Sequence, residues 1–168
     1  MLNPLPSSKF VDVKIFDDIF FSFTFRGELA SIAAAKKTIK ILKEKKGLDH
    51  MDLMGKRLKD GYKKIIKSLK IEQITKMIGF NFCPEYLFFD KNENKSLEIQ
   101  SLFQQEIVRR GILSRAGMFI SLSHKNSDID NTLIVFEKAL EVVKEAVIKD
   151  KVIDRLDRDV IQPVIRKT

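Results

Sequence analysis

Phe20-Phe21-Ser22-Phe23-Thr24-Phe25-Arg26-Gly27-Glu28-Leu29-Ala30-Ser31-Ile32-Ala33-Ala34-Ala35 decides how the rest of the chain is read. The run is aromatic and β-favouring up to Phe25, then passes through Arg26 and Gly27 into an alanine-rich, helix-favouring stretch. A hydroxyl and a glycine at the mouth of a helix set free backbone N–H groups beside a small donor. That is the general arrangement that holds an anion such as phosphate. The same residues also serve as punctuation, Thr24 capping a turn and Gly27 relieving a tight bend. Spacing alone leaves both readings open.

Working outward, Glu28 to Lys46 predicts a helix, because Ile32, Ala35, Ile39 and Leu42 recur on one face and Gly47 stands as its stop. A second helix is expected from Leu48 or Asp49 to Leu69, with Met51, Met54, Leu58, Tyr62, Ile65 and Leu69 as its stripe. Gly55 and Gly61 sit inside it, and close packing is the reason to keep them there. From Ile71 the pattern turns to β: one strand over 71–82 and another over 85–90, with Pro84 at a bulge or edge. Ser96 caps a third helix, Leu97–Arg110, whose inward residues are Ile99, Leu102, Phe103 and Ile107. Gly111 ends it. Strands are expected at Ile112-Leu113 and over 118–123, and Ser127 or Asn126 caps a last helix. Its stripe of Ile129, Leu133, Phe136, Leu140, Val143 and Val147 is the cleanest in the chain. Upstream, residues 1–9 read as an irregular lead-in, and 10–16 alternates as a short strand does.

Composition sets the class. With 44% hydrophobic and 32% charged residues over 168 positions, the chain is expected to bury a real core. The lone Cys83 excludes an internal disulfide and fits a reducing cytoplasm; in its apolar neighbourhood it reads as buried and inert. No apolar run is long enough for a membrane span, and residues 1–6 lack the basic and apolar regions of a signal peptide. The net charge is +8, yet the lysines interleave with Glu and Asp on the outward sides of helical patterns. That is a solvated face, and the charge does not by itself call for nucleic acid. His50 has no second ligand at metal spacing.

The opening stretch resembles the segment after the cofactor lysine in class III aminotransferases, the fold-type I pyridoxal-phosphate enzymes that include glutamate-1-semialdehyde aminomutase. The resemblance places Thr24, with Phe25 beside it, where that family contacts the cofactor phosphate across a dimer interface. There are two departures: Gly27-Glu28-Leu29 replaces the usual Gly-Asn-Pro, and Arg26 stands where a small residue is usual. The Gly-Glu form is more like relatives acting on nucleotide-sugar or other keto substrates. The block from Gly111-Ile112-Leu113 through Met118–His124 to Asp128-Ile129-Asp130 is similar to the family's closing region, where His124 is a structural group at a helix entrance and Asp128 a cap.

The resemblance, which runs over roughly residues 14 to 147, implies an α+β fold. A long connecting helix leads into a small, mostly antiparallel sheet with helices on one face. Residues 1–27 would be a lead-in and remnant of the large-domain edge, 28–148 the connecting helix and small C-terminal domain, and 149–168 a charged tail. It also implies pyridoxal 5'-phosphate as cofactor, held only together with a large cofactor-binding domain on another chain or second subunit, in a homo- or hetero-oligomer. Transamination needs a desolvated lysine and an acidic partner for the ring nitrogen. No lysine here lies in the family's Lys-x-x-Gly-Gly-Gly-type surroundings, so the chain alone is expected to be inert. Arg115 is a candidate clasp for a substrate carboxylate, since the guanidinium offers a bidentate fork; an Arg in a surface turn is the plain alternative. A non-catalytic interaction or regulatory module that kept the small-domain fold is the second reading of the whole.

Overall fold

The computed structural model describes residues 28–162, and the chain divides into two compact units, 1–45 and 46–168. Thr24 and Phe25 lie outside the described residues. In the first unit, helix α1 spans Leu29–Glu44 and carries the expected stripe along one side. Its exposed surface is laced by a Lys40–Glu44 ion pair at 3.6 Å and a Ser31 hydroxyl donating to Glu28.

Over its described residues, 46–162, the second unit is α+β, with three helices, one hairpin and an extended arm. Helix α2 is Gly47–Leu69. Gly47 was expected to stop the preceding helix but instead begins this one; Lys46 takes the left-handed conformation between them, at φ 48°. Strands β1 (Thr75–Phe80) and β2 (Cys83–Phe88) pair antiparallel, with Phe80 opposite Cys83 and Thr75 opposite Phe88. Residues 71–74 form a turn rather than strand, because the Ile71 N–H returns to the Ile66 carbonyl at the end of α2. Helix α3 is Leu97–Arg109 and helix α4 Asn126–Ile148; the cap of α4 is Lys125 rather than Ser127 or Asn126, because the Asp128 side chain reaches back to the Lys125 N–H.

Residues 112–120 do not form the two strands expected there. A single bridge pairs Glu85 with Gly117, and residues 116–120 run beside β2 as an irregular third arm. The Tyr86 N–H donates to the Ala116 carbonyl, and the N–H groups of Met118 and Ile120 donate to the carbonyls of Pro84 and Phe82. Pro84 has no N–H to give on that side, so the ladder is thinned where the arm joins it.

The core lies between the hairpin and the three helices. Tyr62 of α2, Tyr86 and Phe88 of β2, Phe103 of α3 and Phe136 of α4 are all buried. Their rings meet mostly edge to face, Tyr86–Phe103 at 4.9 Å and Phe103–Phe136 at 5.2 Å between centroids. Such pairs add about 0.5–1.5 kcal/mol each beyond the area they bury. Every residue of the third-helix stripe is buried, as are Ile129, Phe136, Leu140 and Val143 of the last. Thr75 is the polar member of this core: its hydroxyl donates to the Leu87 carbonyl at 2.8 Å and accepts from the Tyr62 hydroxyl at 2.6 Å.

The glycines of α2 do what close packing requires. A Cβ on Gly55 would stand 1.6 Å from the Asn81 carbonyl oxygen at the hairpin turn, and one on Gly61 would meet Leu133 at 2.3 Å. The Asn81 amide also donates to Asp52 at 2.9 Å, which seats the turn on the helix. Beyond α4, a 3₁₀ turn at Ile153–Arg155 leads back along α3. Gln105 donates to the Arg155 carbonyl and accepts from the Asp157 N–H, Arg109 pairs with Asp157, and the Ile161 N–H donates to Ser101.

Candidate functional site

Chemistry-bearing residues gather in the segment that joins α3 to α4. Helix α3 closes with Gly111 at φ 87°, its N–H on the Val108 carbonyl and the next N–H on the Ile107 carbonyl. This cap aims residues 112–120 across the helix ends toward β2. Within the segment the Ser114 hydroxyl donates to the Arg115 carbonyl at 2.8 Å, leaving the Arg115 side chain exposed. Among the described residues no carboxylate lies within ion-pair reach of Arg115.

Arg115 stands between two cavities. One, of about 320 Å³, is lined by Leu58, Ile112, Ile120, His124 and Thr132. The other, of about 560 Å³, presents Glu85, Gln100, Gln104 and Phe119. Arg115, Gln100 and Gln104 in the lining of this second cavity offer donors suited to a carboxylate or phosphate oxygen, with the Glu85 carboxylate of the same lining working against an anion. Beneath this segment the Tyr86 hydroxyl is buried without a hydrogen-bond partner. Burial pushes its phenol up to about 12, against the opposing pull of the nearby Ser114 hydroxyl.

His124 is tied into the backbone. Its Nδ1 accepts the Ser121 N–H at 3.0 Å, which puts the neutral ring's proton on Nε2, and its carbonyl meets His50 Nε2 at 2.9 Å. It closes the turn ahead of α4, where the Asp128 carboxylate accepts the Lys125 N–H at 2.8 Å. This is the helix-entrance role expected for His124 and Asp128. His50 joins the start of α2 to that same turn. Cys83 is half-buried, more open than expected.

Two charge clusters escaped the sequence reading. Arg57 of α2 grips Asp130 of α4 with two N–H donors, at 2.8 and 2.9 Å, and holds that carboxyl below its ordinary range. Glu106 is buried; burial would raise its carboxyl, but hydrogen bonds from Arg110, Gln105 and Arg109 outweigh it and the net direction is down. The Glu106-x-x-Arg109-Arg110 spacing was visible as a helical i,i+3 and i,i+4 pairing. Nothing local marked Arg57 and Asp130 as partners.

No group of three His, Cys, Asp or Glu side chains among the described residues is placed to hold a metal ion, and no lysine among them is buried. No helix of the described residues is long and apolar enough to cross a membrane.

No family model matches the chain. Among curated proteins it is similar to glutamate-1-semialdehyde 2,1-aminomutase of Alkaliphilus metalliredigens, 29% identical over 140 residues, covering 76% of this chain and 30% of that protein. The Thermosipho africanus enzyme of the same name is 30% identical over 138 residues, covering 76% and 32%. The chain thus spans about a third of the length of these relatives. Among solved structures it is similar to the Sphingopyxis sp. MTA144 FumI protein in its PLP internal aldimine form, with a TM-score of 0.67 at 22% identity, over 80% of this chain and 32% of that one.

Proposed function

For a chain with the fold of part of a class III, glutamate-1-semialdehyde aminomutase-like enzyme, we propose the role of C-terminal portion of a pyridoxal-phosphate-dependent aminotransferase or aminomutase. The observation that carries this is the match of three quarters of the chain to only a third of each relative. In this reading Thr24, with Phe25, supplies a phosphate contact across a dimer interface, and Arg115 faces the substrate's acidic end.

The described residues do not themselves fit the cofactor. A lysine that is to react must be desolvated, and none of the described lysines is. In this reading the reactive amine belongs to a polypeptide region outside residues 28–162, and the chain alone is inactive. The test is to purify the chain with pyridoxal phosphate, alone and mixed with a polypeptide carrying the remaining fold. Bound-cofactor absorbance is expected only in the mixture, and weaker with Thr24→Ala. A chain that by itself retains the cofactor and interconverts amino and keto acids refutes the reading.

A second reading, a non-catalytic interaction module, draws on the closed aromatic core of residues 46–162. It expects a stable fold and no cofactor uptake in any mixture.

A further inference from the structure

Over the whole chain lysine interleaves with Glu and Asp, but along one stretch it does not. Residues 56–70, the second half of α2 with its C-cap, hold seven basic side chains and one acidic, where all 168 positions together balance at +8. Arg57 is neutralised by Asp130, yet among the described residues none of the six lysines here is in an ion pair. Cations near a helix C-terminus answer its dipole, which accounts for Lys67 and Lys70 and leaves the others unexplained. Lys59, Lys63 and Lys67 recur at steps of four, so they stand on one side of α2, about 6 Å apart along its axis.

Beside that row lies a cavity of about 440 Å³ between α2 and β1. Lys59, Lys63, Lys67 and Lys76 line it together with Asp60 and Glu72, so four cationic side chains stand against two carboxylates. Buried Tyr62, Ile66 and Thr75 also line it, and the 2.6 Å bond between the Tyr62 and Thr75 hydroxyls holds that wall in place. Lys59 donates to the Gly79 carbonyl at 2.6 Å, and the Lys76 ammonium lies 4.7 Å from the Phe89 ring centroid. A carbonyl and a ring position these charges without cancelling them. The volume falls in the range of small-ligand sites, and lysine serves phosphate oxygens as a point charge. Asp60 and Glu72 work against any anion, so a singly charged one gains little, whereas an extended polyanion reaches several lysines at once. We propose that this cavity binds a small compound bearing a chain of two or more phosphoryl groups, laid along Lys59, Lys63 and Lys67. It shares no lining residue with the two cavities at Arg115, so the site stands apart from the proposed function.

Calorimetric titration of the full chain with tripolyphosphate, ATP and inorganic monophosphate at low ionic strength is the test. Tripolyphosphate and ATP should each bind one to one, about tenfold or more tighter than monophosphate, and both should weaken as salt is added. Lys63→Gln with Lys67→Gln should weaken them by about tenfold or more. Lys138→Gln with Lys144→Gln removes the same charge from α4, outside the cavity, and should leave affinity within about twofold. Melting followed by circular dichroism should be unchanged in both variants, because none of the four lysines is buried. Amide NMR shifts on adding tripolyphosphate should fall on residues 59–67 and 75–77. Equal weakening by the two pairs would reduce the site to diffuse attraction and overturn it, as would an absence of binding or shifts centred elsewhere. Capture of anionic phospholipid vesicles or of an RNA duplex, without uptake of free tripolyphosphate, overturns it too, since the lysines would then serve a surface and not the cavity. A chain that binds tripolyphosphate yet takes up no cofactor in any mixture keeps this site and loses the proposed function.

Discussion

Gly55 and Gly61 lie on the same helix, and replacing each by Ala tests the packing of α2 against its two neighbours. The helical backbone gains about 1 kcal/mol from either change, because Ala orders at less entropic cost than Gly. At Gly55 the new Cβ would sit 1.6 Å from the Asn81 carbonyl oxygen and 2.3 Å from its carbon, both backbone atoms of a tight turn. That turn cannot yield without breaking the Asn81–Asp52 hydrogen bond at 2.9 Å. Overpacking of this kind costs about 3 kcal/mol. The net expectation is a loss of about 2 kcal/mol, or roughly 4–8 °C in melting temperature for a chain of this size. At Gly61 the obstacle is the tip of Leu133, 2.3 Å away, a side chain half-buried and free to turn. A displaced rotamer costs about 1 kcal/mol, which the helix gain offsets, so this variant should match the parent. Urea unfolding of the three proteins reads the difference directly. Equal effects at both sites, or a Gly55→Ala protein more stable than the parent, would refute the close approach of turn and helix.

Thr75→Val strands two buried partners, the Tyr62 hydroxyl and the Leu87 carbonyl, and should cost about 2–4 kcal/mol in urea unfolding. A loss below about 0.5 kcal/mol would remove the hydroxyl chain from the core's account. Tyr86→Phe removes a buried hydroxyl that has no partner, so stability should hold or rise by about 1 kcal/mol, and a marked loss would mean the hydroxyl is bonded. Acid should destabilise the fold through carboxylates held low in it. Arg155 and Lys149 bring Glu145 down to about 2 from 4.5, and Glu106 is lowered in the same direction. The unfolded state therefore binds more protons in this window, and the contribution is whole above about pH 4.5 and fades as pH falls toward 2. Urea midpoints from pH 7 downward should show this, with a shallower slope for Glu145→Gln.

Helices were legible because their burial follows from period. The stripes of α3 and α4 are the buried faces, and Ser96 caps α3 as its position suggested, its hydroxyl accepting the Ile99 N–H. The β region was legible in kind but not in extent. Residues 71–74 look like strand, yet the carbonyls at the end of α2 claim the Ile71 N–H and turn the chain first. The arm at 112–120 misled for the opposite reason: its apolar residues suit a strand, but Pro84 opposite it can donate nothing, and the pairing stays partial. At the candidate site the helix-entrance role of His124 could be read from its neighbours in sequence. The Arg115 setting between two cavities, the unpartnered Tyr86 hydroxyl and the Arg57–Asp130 grip all join residues distant in sequence, and no local pattern encodes such meetings.

The chain has no tryptophan and two tyrosines, Tyr62 and Tyr86, and both sit at the centre of the aromatic core. Near-ultraviolet light therefore interrogates the interior with no tryptophan background. Burial sets both phenols above their ordinary value of 10.0, Tyr86 to about 12, so neither should form phenolate while the core is intact. Their contribution to stability is whole below about pH 10 and is lost as the solution grows more alkaline. Phenolate absorbance should then rise in one step for both rings as the core opens. The protein carries its own alkaline indicator of collapse.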